Sequence, residues 1–308
     1  MATSTGAIVA WSDAAPGTTL EGTRLGITAD AIASSSAFSV QLPQPVGDFG
    51  LVGDGDTGYM LSAAVGSGAL LVPLDAELAA GTPTRISGAI TWHALAEPIA
   101  TGAGLAVAWV DAGAVRFSRV SAGGAILGPS FSKPAGSAVS VRRAARRHIA
   151  AWTDPGGGCA VWALDEEFEP VVADPVVHLP AGACLHPAIT RHDVGTNLLA
   201  WVDAGDAHAQ LGTDTDLVGA QLAIGSNADD VDVAVAPGGF FVAASSRDTL
   251  RAGHVRPDAT GWTAFAAIPR VRGSPIRLVA QPPGALVASI DDTAGTPQVQ
   301  LTRLCEPL

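Results

Sequence analysis

Ala-Trp-Val-Asp stands at residues 108–111 and again at 200–203, each time at the end of a run of small apolar residues. Ala-Trp-Ser-Asp at 10–13, Ala-Trp-Thr-Asp at 151–154 and the weaker Ala-Ser-Ile-Asp at 288–291 extend the series. Counted at the tryptophan, and at Ser289 in the weaker copy, the segments are spaced by 98, 43, 49 and 88 residues, so the two long intervals predict degenerate copies near positions 61 and 244. Apolar segments occur at both places, and the sequence therefore predicts seven repeated units.

Each unit contains four short apolar segments separated by polar turns, and four strands in about 40–50 residues are typical of a propeller blade. With 36 glycines and 21 prolines in 308 residues, long helices have little room. The sequence predicts an all-β fold with little or no helix, a seven-bladed β-propeller with four-stranded antiparallel blades of about 44–49 residues. A single domain over 1–308 would comprise approximate blades at 1–45, 46–86, 87–133, 134–181, 182–227, 228–273 and 274–308.

The Ala-Trp-x-Asp unit resembles the repeat of predicted β-propellers in large secreted bacterial proteins. The likeness covers nearly the whole chain, although the second and sixth units lack the tryptophan. It implies an extracytoplasmic location and a scaffold role, and it transfers no catalytic residues. The first residues do not read as a signal peptide, because they lack a basic segment and an apolar core. We therefore expect a secreted or periplasmic protein whose signal has been removed, with a cytoplasmic location as the open alternative.

One segment also fits a helix. Residues 137–154 contain no Gly or Pro, and Arg142, Arg143, Arg146 and Arg147 would share one helical face. The phase of the repeat instead predicts a strand, a turn and a second strand, and this interpretation is the one we adopt.

Charge and composition exclude several functions. The chain has 29 acidic and 17 basic residues, a net charge of −12, which opposes binding to nucleic acid and to anionic membranes. No apolar run reaches the ~18–20 residues that span a bilayer. Three cysteines, at positions 159, 184 and 305, allow one disulfide in three possible pairings.

Carboxylates recur in two patterns. The aspartates that end the Ala-Trp-x-Asp segments are expected to accept backbone N–H bonds and so to stabilise the hairpins, because catalysis seldom needs one residue several times over. Asp54 with Asp56, and Asp214 with Asp216, have the spacing of calcium loops, but the continuation of such a loop is absent. We expect no cofactor, with bound calcium at these pairs as the weaker alternative.

An alignment of first strands suggests a binding site. Ile-Thr-Trp-His at 90–93, Val-Ser-Val-Arg at 139–142 and Ile-Thr-Arg-His at 189–192 would lie in three consecutive blades, in the same phase. Their last residues would meet where the innermost strands leave the ring, and loops converge there on the channel mouth that propeller ligands occupy. The predicted ligand-binding residues are Trp92, His93, Arg142, Arg146, Arg191 and His192.

Arginine and histidine in this position predict charge-assisted binding of a carboxylate or phosphate, with the Trp92 ring as a stacking face. In the competing interpretation, the arginines only neutralise nearby acids such as Asp165, Glu166 and Glu167. We expect no metal site, because Arg142 is not a ligand and a transition metal would have to recruit His148.

Three functions fit these residues. The favoured one is a non-catalytic binding propeller for an anionic glycan, peptide or small molecule. The second is a hydrolase or lyase in the same funnel, with His93 or His192 as general base. The third is a platform on which a protein partner docks. A propeller fold does not by itself choose among them.

Overall fold

The regular elements are all β-strands. The computed structural model describes residues 2–3, 6–12, 17–28, 32–53, 58–65, 68–88, 90–96, 104–121, 123, 125–144, 147–178, 183–192, 195–214, 216–236, 238–246, 249–258, 262–264, 268–269, 276–281, 284–291 and 298–305. These residues contain no helix, and their strands form seven antiparallel sheets, five of them four-stranded. The predicted all-β fold is confirmed. No helix that could cross a membrane occurs among them either.

Residues 1–135 and 166–169 form one compact unit with three four-stranded sheets. The strands of the first sheet are β1 (Ala2–Thr3), β2 (Gly6–Ser12), β3 (Thr19–Ile27) and β4 (Ile32–Gln41). The second sheet has β5 (Val46–Gly53), β6 (Gly58–Val65), β7 (Gly68–Asp75) and β8 (Thr84–Ser87). The third has β9 (Ile90–Ala96), β10 (Leu105–Asp111), β11 (Ala114–Val120) and β12 (Ile126–Pro134).

Residues 136–165 and 170–308 form a second compact unit. Its first sheet, the fourth in the chain, has β13 (Ser137–Ala144), β14 (Arg147–Thr153), β15 (Cys159–Leu164) and β16 (Val176–His178). The fifth sheet has β17 (Leu185–Arg191), β18 (Asn197–Asp203), β19 (Asp206–Gly212) and β20 (Leu217–Gly225). The sixth has β21 (Ala228–Ala236), β22 (Gly239–Ser246), β23 (Thr249–Val255), β24 (Trp262–Ala264) and β25 (Ile268–Pro269). The seventh has β26 (Arg277–Gln281), β27 (Gly284–Asp291) and β28 (Gln298–Cys305).

The segment that also fitted a helix is a hairpin. β13 and β14 pair antiparallel, with Val141 opposite Ala150 and Ala144 opposite Arg147. All residues of β14 after Arg147 are buried, and the strand lies between β13 and β15 in the sheet. The burial of this strand on both faces outweighs its helical periodicity, so the interpretation taken from the repeat is confirmed.

A tight turn follows each of the Ala-Trp-Val-Asp segments at 108–111 and 200–203. Ala112-Gly113 joins β10 to β11, and Ala204-Gly205 joins β18 to β19. All four residues have positive φ, at 50° and 78° in the first turn and 49° and 88° in the second. Two-residue hairpin turns with two positive φ values match the right-handed twist of the strands, and glycine supplies one of these values without strain. The strand therefore ends at the aspartate, as the repeat predicts.

Two tryptophans of the repeat, Trp109 and Trp201, pack between sheets. Trp109 lies in an apolar cluster with Ala69 and Leu71 of the second sheet. Trp201 packs with Ile149 and Val161 of the fourth sheet and is only 2% exposed. Each of these two indoles fills the space against the preceding sheet. The tryptophan at these positions therefore has a structural role, close packing between consecutive sheets.

A disulfide ties the fourth sheet to the fifth. Cys159 at the start of β15 is bonded to Cys184, just before β17, and both are fully buried. Two backbone-directed hydrogen bonds support the same junction, from Thr153 Oγ1 to the Cys184 carbonyl and from Cys184 N to the Gly157 carbonyl, both at 2.7 Å. Of the three possible pairings this is the one formed, and Cys305 is a free, exposed thiol.

Candidate functional site

The six predicted site residues are divided between the two units. Trp92 and His93 lie on β9 of the first unit, where Trp92 is half-buried and His93 is buried. Arg142 on β13, Arg191 at the end of β17 and His192 immediately after it belong to the second unit. Arg146 lies outside the described residues.

The strand registers do not place His93, Arg142 and His192 at equivalent positions. His93 is opposite Trp109 itself, whereas Arg142 is opposite Ile149, three residues before Trp152. The prediction of equivalence is wrong. Its physical cause lies in the connections between the first and second strands. Eight residues separate β9 from β10 but only two separate β13 from β14, so residues aligned along the sequence do not share one register against the second strand.

Two arginines from different sheets converge on one carboxylate. Arg147 at the start of β14 donates from Nη1 to Asp214 Oδ2 at 2.5 Å, and Arg191 donates from Nη1 to Asp214 Oδ1. Asp214 stands in the turn between β19 and β20 and is 19% exposed, against 40% for Arg147 and 14% for Arg191. Bonds of this kind between a guanidinium and a carboxylate are charge-assisted and strong. The cluster joins the fourth sheet to the fifth.

This cluster keeps an excess of positive charge. Two guanidinium groups meet one carboxylate. Arg143, four positions before Arg147 and near the end of β13, is exposed. Within the described residues, Arg147 and Arg191 each use one N–H on Asp214, which leaves most of the five donors of each guanidinium uncommitted. The arrangement can therefore bind a further anion.

Arg142 serves a different carboxylate. Its Nη2 donates to Asp232 Oδ1 at 3.1 Å, although the two residues are 90 positions apart. Asp232 on β21 is buried, and its two oxygens also accept the N–H groups of Val233 at 2.9 Å and Leu278 at 2.8 Å. Arg142 thus completes a buried network that links the fourth, sixth and seventh sheets.

Asp230, two residues earlier on β21, repeats part of this pattern. Its carboxylate accepts the Ile276 N–H at 3.1 Å and lies 3.5 Å from Arg277 Nη1 and 3.9 Å from His186 Nδ1. Burial raises the pKa of Asp230 above its ordinary value, although the Arg277 guanidinium opposes this. Asp230 and Asp232 together hold alternate backbone N–H groups along the start of the seventh sheet.

His192 and His148 occupy an apolar and a backbone-bonded place, respectively. The His192 ring meets the Phe240 ring edge-on, with centroids 6.0 Å apart. His148, the residue that a metal site would have to recruit, is buried with Nδ1 at 3.2 Å from the Asp165 carbonyl. The described part of the chain contains no group of three or more His, Cys, Asp and Glu that could hold a metal ion.

The aspartates of the repeat act largely as predicted. Asp154 Oδ2 accepts the Gly156 N–H at 2.8 Å within its own turn, and Asp203 Oδ1 accepts the Ala183 N–H at 2.9 Å. Asp111 also accepts a bond from Arg116 Nε at 3.2 Å, across its hairpin. The predicted role in the hairpin is confirmed for Asp154. Asp203 accepts a backbone N–H from the segment before β17 instead of from its own hairpin, and Asp13 lies outside the described residues.

Of the two calcium-type pairs, Asp54 and Asp56 lie outside the described residues. In the other pair, both oxygens of Asp214 accept bonds from arginines. The sequence did not predict that Asp214 is the partner of Arg147 and Arg191, or that Asp232 is the partner of Arg142. Their signal in the sequence was weak, since no spacing rule connects residues 67 or 90 positions apart.

Neither a family model nor a curated protein matches the chain. Solved structures do match it. A candidate 6-phosphogluconolactonase from Bacteroides fragilis aligns at 14% identity with a TM-score of 0.62, covering 99% of this chain and 95% of that one. The SapL1 lectin in complex with alpha methyl fucoside aligns at 11% identity and a TM-score of 0.56, covering 83% and 92%. BBS1N in complex with ARL6DN aligns at 10% identity and 0.59, covering 94% and 85%. At these identities the likeness shows the fold, which is of the β-propeller class.

Proposed function

We propose that the chain is a non-catalytic β-propeller that binds an anionic glycan, peptide or small molecule where β13 and β17 end. The convergence of Arg147 and Arg191 on Asp214 is the observation that carries this proposal. Two partly exposed guanidinium groups from adjacent sheets keep donors available, and arginine is the side chain best suited to carboxylates and phosphates. Arg142 takes a supporting place, since its partner Asp232 is buried.

A thermal-shift screen of the full chain tests this proposal. The panel contains uronic acids, sialylated and neutral glycans, phosphates and divalent metals. A ligand at a hundredfold excess over its Kd stabilises the folded state by about 2.7 kcal/mol. We expect shifts from anions that are lost in Arg191→Ala and in Arg147→Gln, the more exposed member of the pair.

Arg256→Ala is the matched control, because Arg256 is 63% exposed and lies 3.8 Å from Asp258 in a surface ion pair. It should leave every anion shift unchanged. If anions raise the melting temperature of Arg191→Ala as much as that of the wild type, Arg191 is not part of the binding site. Silence across the whole panel would contradict anion binding and favour a protein-docking platform, a role consistent with a fold neighbour solved in complex with ARL6DN.

A hydrolase or lyase is the second candidate, because candidate 6-phosphogluconolactonases share the fold. His192 would be its general base in the second unit and His93 in the first. Turnover of a sugar lactone or polysaccharide that is lost in His192→Ala or His93→Ala would support this candidate over binding alone.

The proposal extends to the whole chain. We propose one domain of seven blades, on the support of seven described sheets. A secreted or periplasmic location is supported by the disulfide between Cys159 and Cys184, since such bonds persist in oxidising compartments. Ligand binding is proposed to need no cofactor, and nucleic acid is not among the proposed ligands.

A further inference from the structure

Asp214 differs from Asp230 and Asp232 in what holds its carboxylate. Asp232 and Asp230 accept backbone N–H groups, so their removal would leave main-chain donors unpaired. Within the part of the chain that the structure describes, the Asp214 carboxylate accepts from Arg147 and Arg191 and from no backbone N–H. Among those residues, its side chain therefore has no part in holding the main chain.

The turn around Asp214 is stabilised by its neighbours. Thr213 N donates to the Asp216 carbonyl at 2.7 Å, and Asp216 N donates to Thr213 Oγ1 at 3.2 Å. Asn197 Nδ2 adds a bond to the Thr213 carbonyl at 2.9 Å. The Asp214 side chain can consequently leave the arginines while the hydrogen bonds of the turn remain.

The contacts also define the shape of the acceptor that the arginines fit. Each guanidinium binds a different oxygen of the same carboxylate, from adjacent sheets. A planar group with two oxygens on one carbon satisfies both, and the remaining N–H groups can close a bidentate contact with it. The site is thus already shaped around a carboxylate.

We infer that Asp214 is a built-in occupant of a carboxylate-binding site, and that the ligand is a carboxylate that displaces it from Arg147 and Arg191. This inference rests on the proposed function and names its ligand class. In the free protein, Asp214 competes with the ligand, so the apparent affinity is lowered by the fraction of molecules in which Asp214 occupies the arginines.

Calorimetric titration of the full chain with D-galacturonate, galactose 6-sulfate and galactose tests the ligand class. Asp214→Asn removes the competing charge but keeps an amide oxygen for one arginine, so the variant should fold, as its thermal unfolding will show. We expect galacturonate to bind this variant about tenfold more tightly than the wild type, or better. Asp216→Asn is the matched control in the same turn, where the carboxylate is exposed, and should bind like the wild type.

A second arm does not depend on the sugar. Asp214→Ala leaves space beside the two arginines, and acetate should raise its melting temperature more than chloride or sulfate does at equal ionic strength. Acetate should have no such selective effect on Asp216→Ala.

The outcomes separate the two ideas. Unchanged or weaker galacturonate binding in Asp214→Asn, or no selective acetate effect in Asp214→Ala, overturns the built-in occupant. Binding of galactose 6-sulfate without galacturonate overturns the carboxylate class and leaves the proposed anion site standing. Binding of no anion by any variant overturns the proposed function as well.

Discussion

Asp214 and Asp232 both hold arginines, but their carboxylates have different surroundings. The Asp232 side chain is 5% exposed and satisfies two backbone N–H groups besides Arg142. The Asp214 side chain is 19% exposed. Among the described residues, the hydrogen bonds that it accepts come from guanidinium groups only. Burial and backbone bonding make Asp232 structural, whereas Asp214 is free to exchange its partners.

Asp232→Ala should strongly destabilise the protein. The change leaves the N–H groups of Val233 and Leu278 without their acceptor and the Arg142 charge without its partner, at a cost of about 3 kcal/mol. Urea unfolding measures it. Asp258→Ala is the control, since Asp258 is 61% exposed and surface ion pairs contribute about 0–1 kcal/mol. Equal losses in the two variants would contradict the structural role of Asp232.

The raised pKa of Asp230 predicts a dependence of stability on pH. Because burial raises its folded pKa above the ordinary 3.8, the folded state binds a proton that the unfolded state has released in the window just above pH 3.8. Through this window the contribution of Asp230 to stability falls as pH rises. Asp230→Asn does not titrate and keeps an oxygen for the Ile276 N–H.

The free energy of unfolding of Asp230→Asn, relative to wild type, should therefore increase as pH rises from 3 towards 7. Urea unfolding at successive pH values measures this difference. A relative stability that instead decreases with pH would show that attraction to Arg277 and His186 outweighs burial.

At the scale of elements, side-chain bonds connect neighbouring sheets of the second compact unit. The disulfide and the Thr153 bond anchor the segment before β17 to β15 and β14. Asp230 and Asp232 of β21 accept alternate N–H groups at Ile276 and Leu278. These connections set the position of one sheet beside the next, because strand hydrogen bonds act only within a sheet.

Loss of the disulfide should lower stability measurably. Cys159 and Cys184 are separated by 25 residues, and closing a loop of this size contributes about 3 kcal/mol through the unfolded chain. The double variant Cys159→Ser, Cys184→Ser should lose this amount in urea unfolding. Cys305→Ser is the control and should match the wild type, since that thiol is free and exposed. An unchanged double variant would contradict the proposed connection.

At the scale of the whole molecule, the number of cooperative units is open to measurement. The proposed single domain predicts one unfolding transition, seen at the same urea concentration by tryptophan fluorescence and by far-UV circular dichroism. Two separated transitions would show instead that the compact units, 1–135 with 166–169 and the remainder, unfold independently. Tryptophans occur in both units, among them Trp109 and Trp152, so fluorescence reports on each.

The repeat made the fold class predictable. The Ala-Trp-Val-Asp segments at 108–111 and 200–203 specify an apolar strand, an aspartate and an Ala-Gly turn by local chemistry, and the structure has these features at the predicted residues. The hairpin at 137–153 likewise follows the phase of the repeat. Local propensity and periodicity act over a few residues, so a single sequence contains them.

The site followed only in part, for a physical reason. Sequence alone predicted a basic cluster at the ends of three first strands, with Arg142, Arg146 and Arg191 as its arginines. Tertiary structure decided that Arg142 reaches Asp232 across 90 residues and that Arg147 joins Arg191 on Asp214. Such pairings depend on strand register, bulges and the packing of one sheet on the next, which bring distant residues together without any regular spacing along the chain.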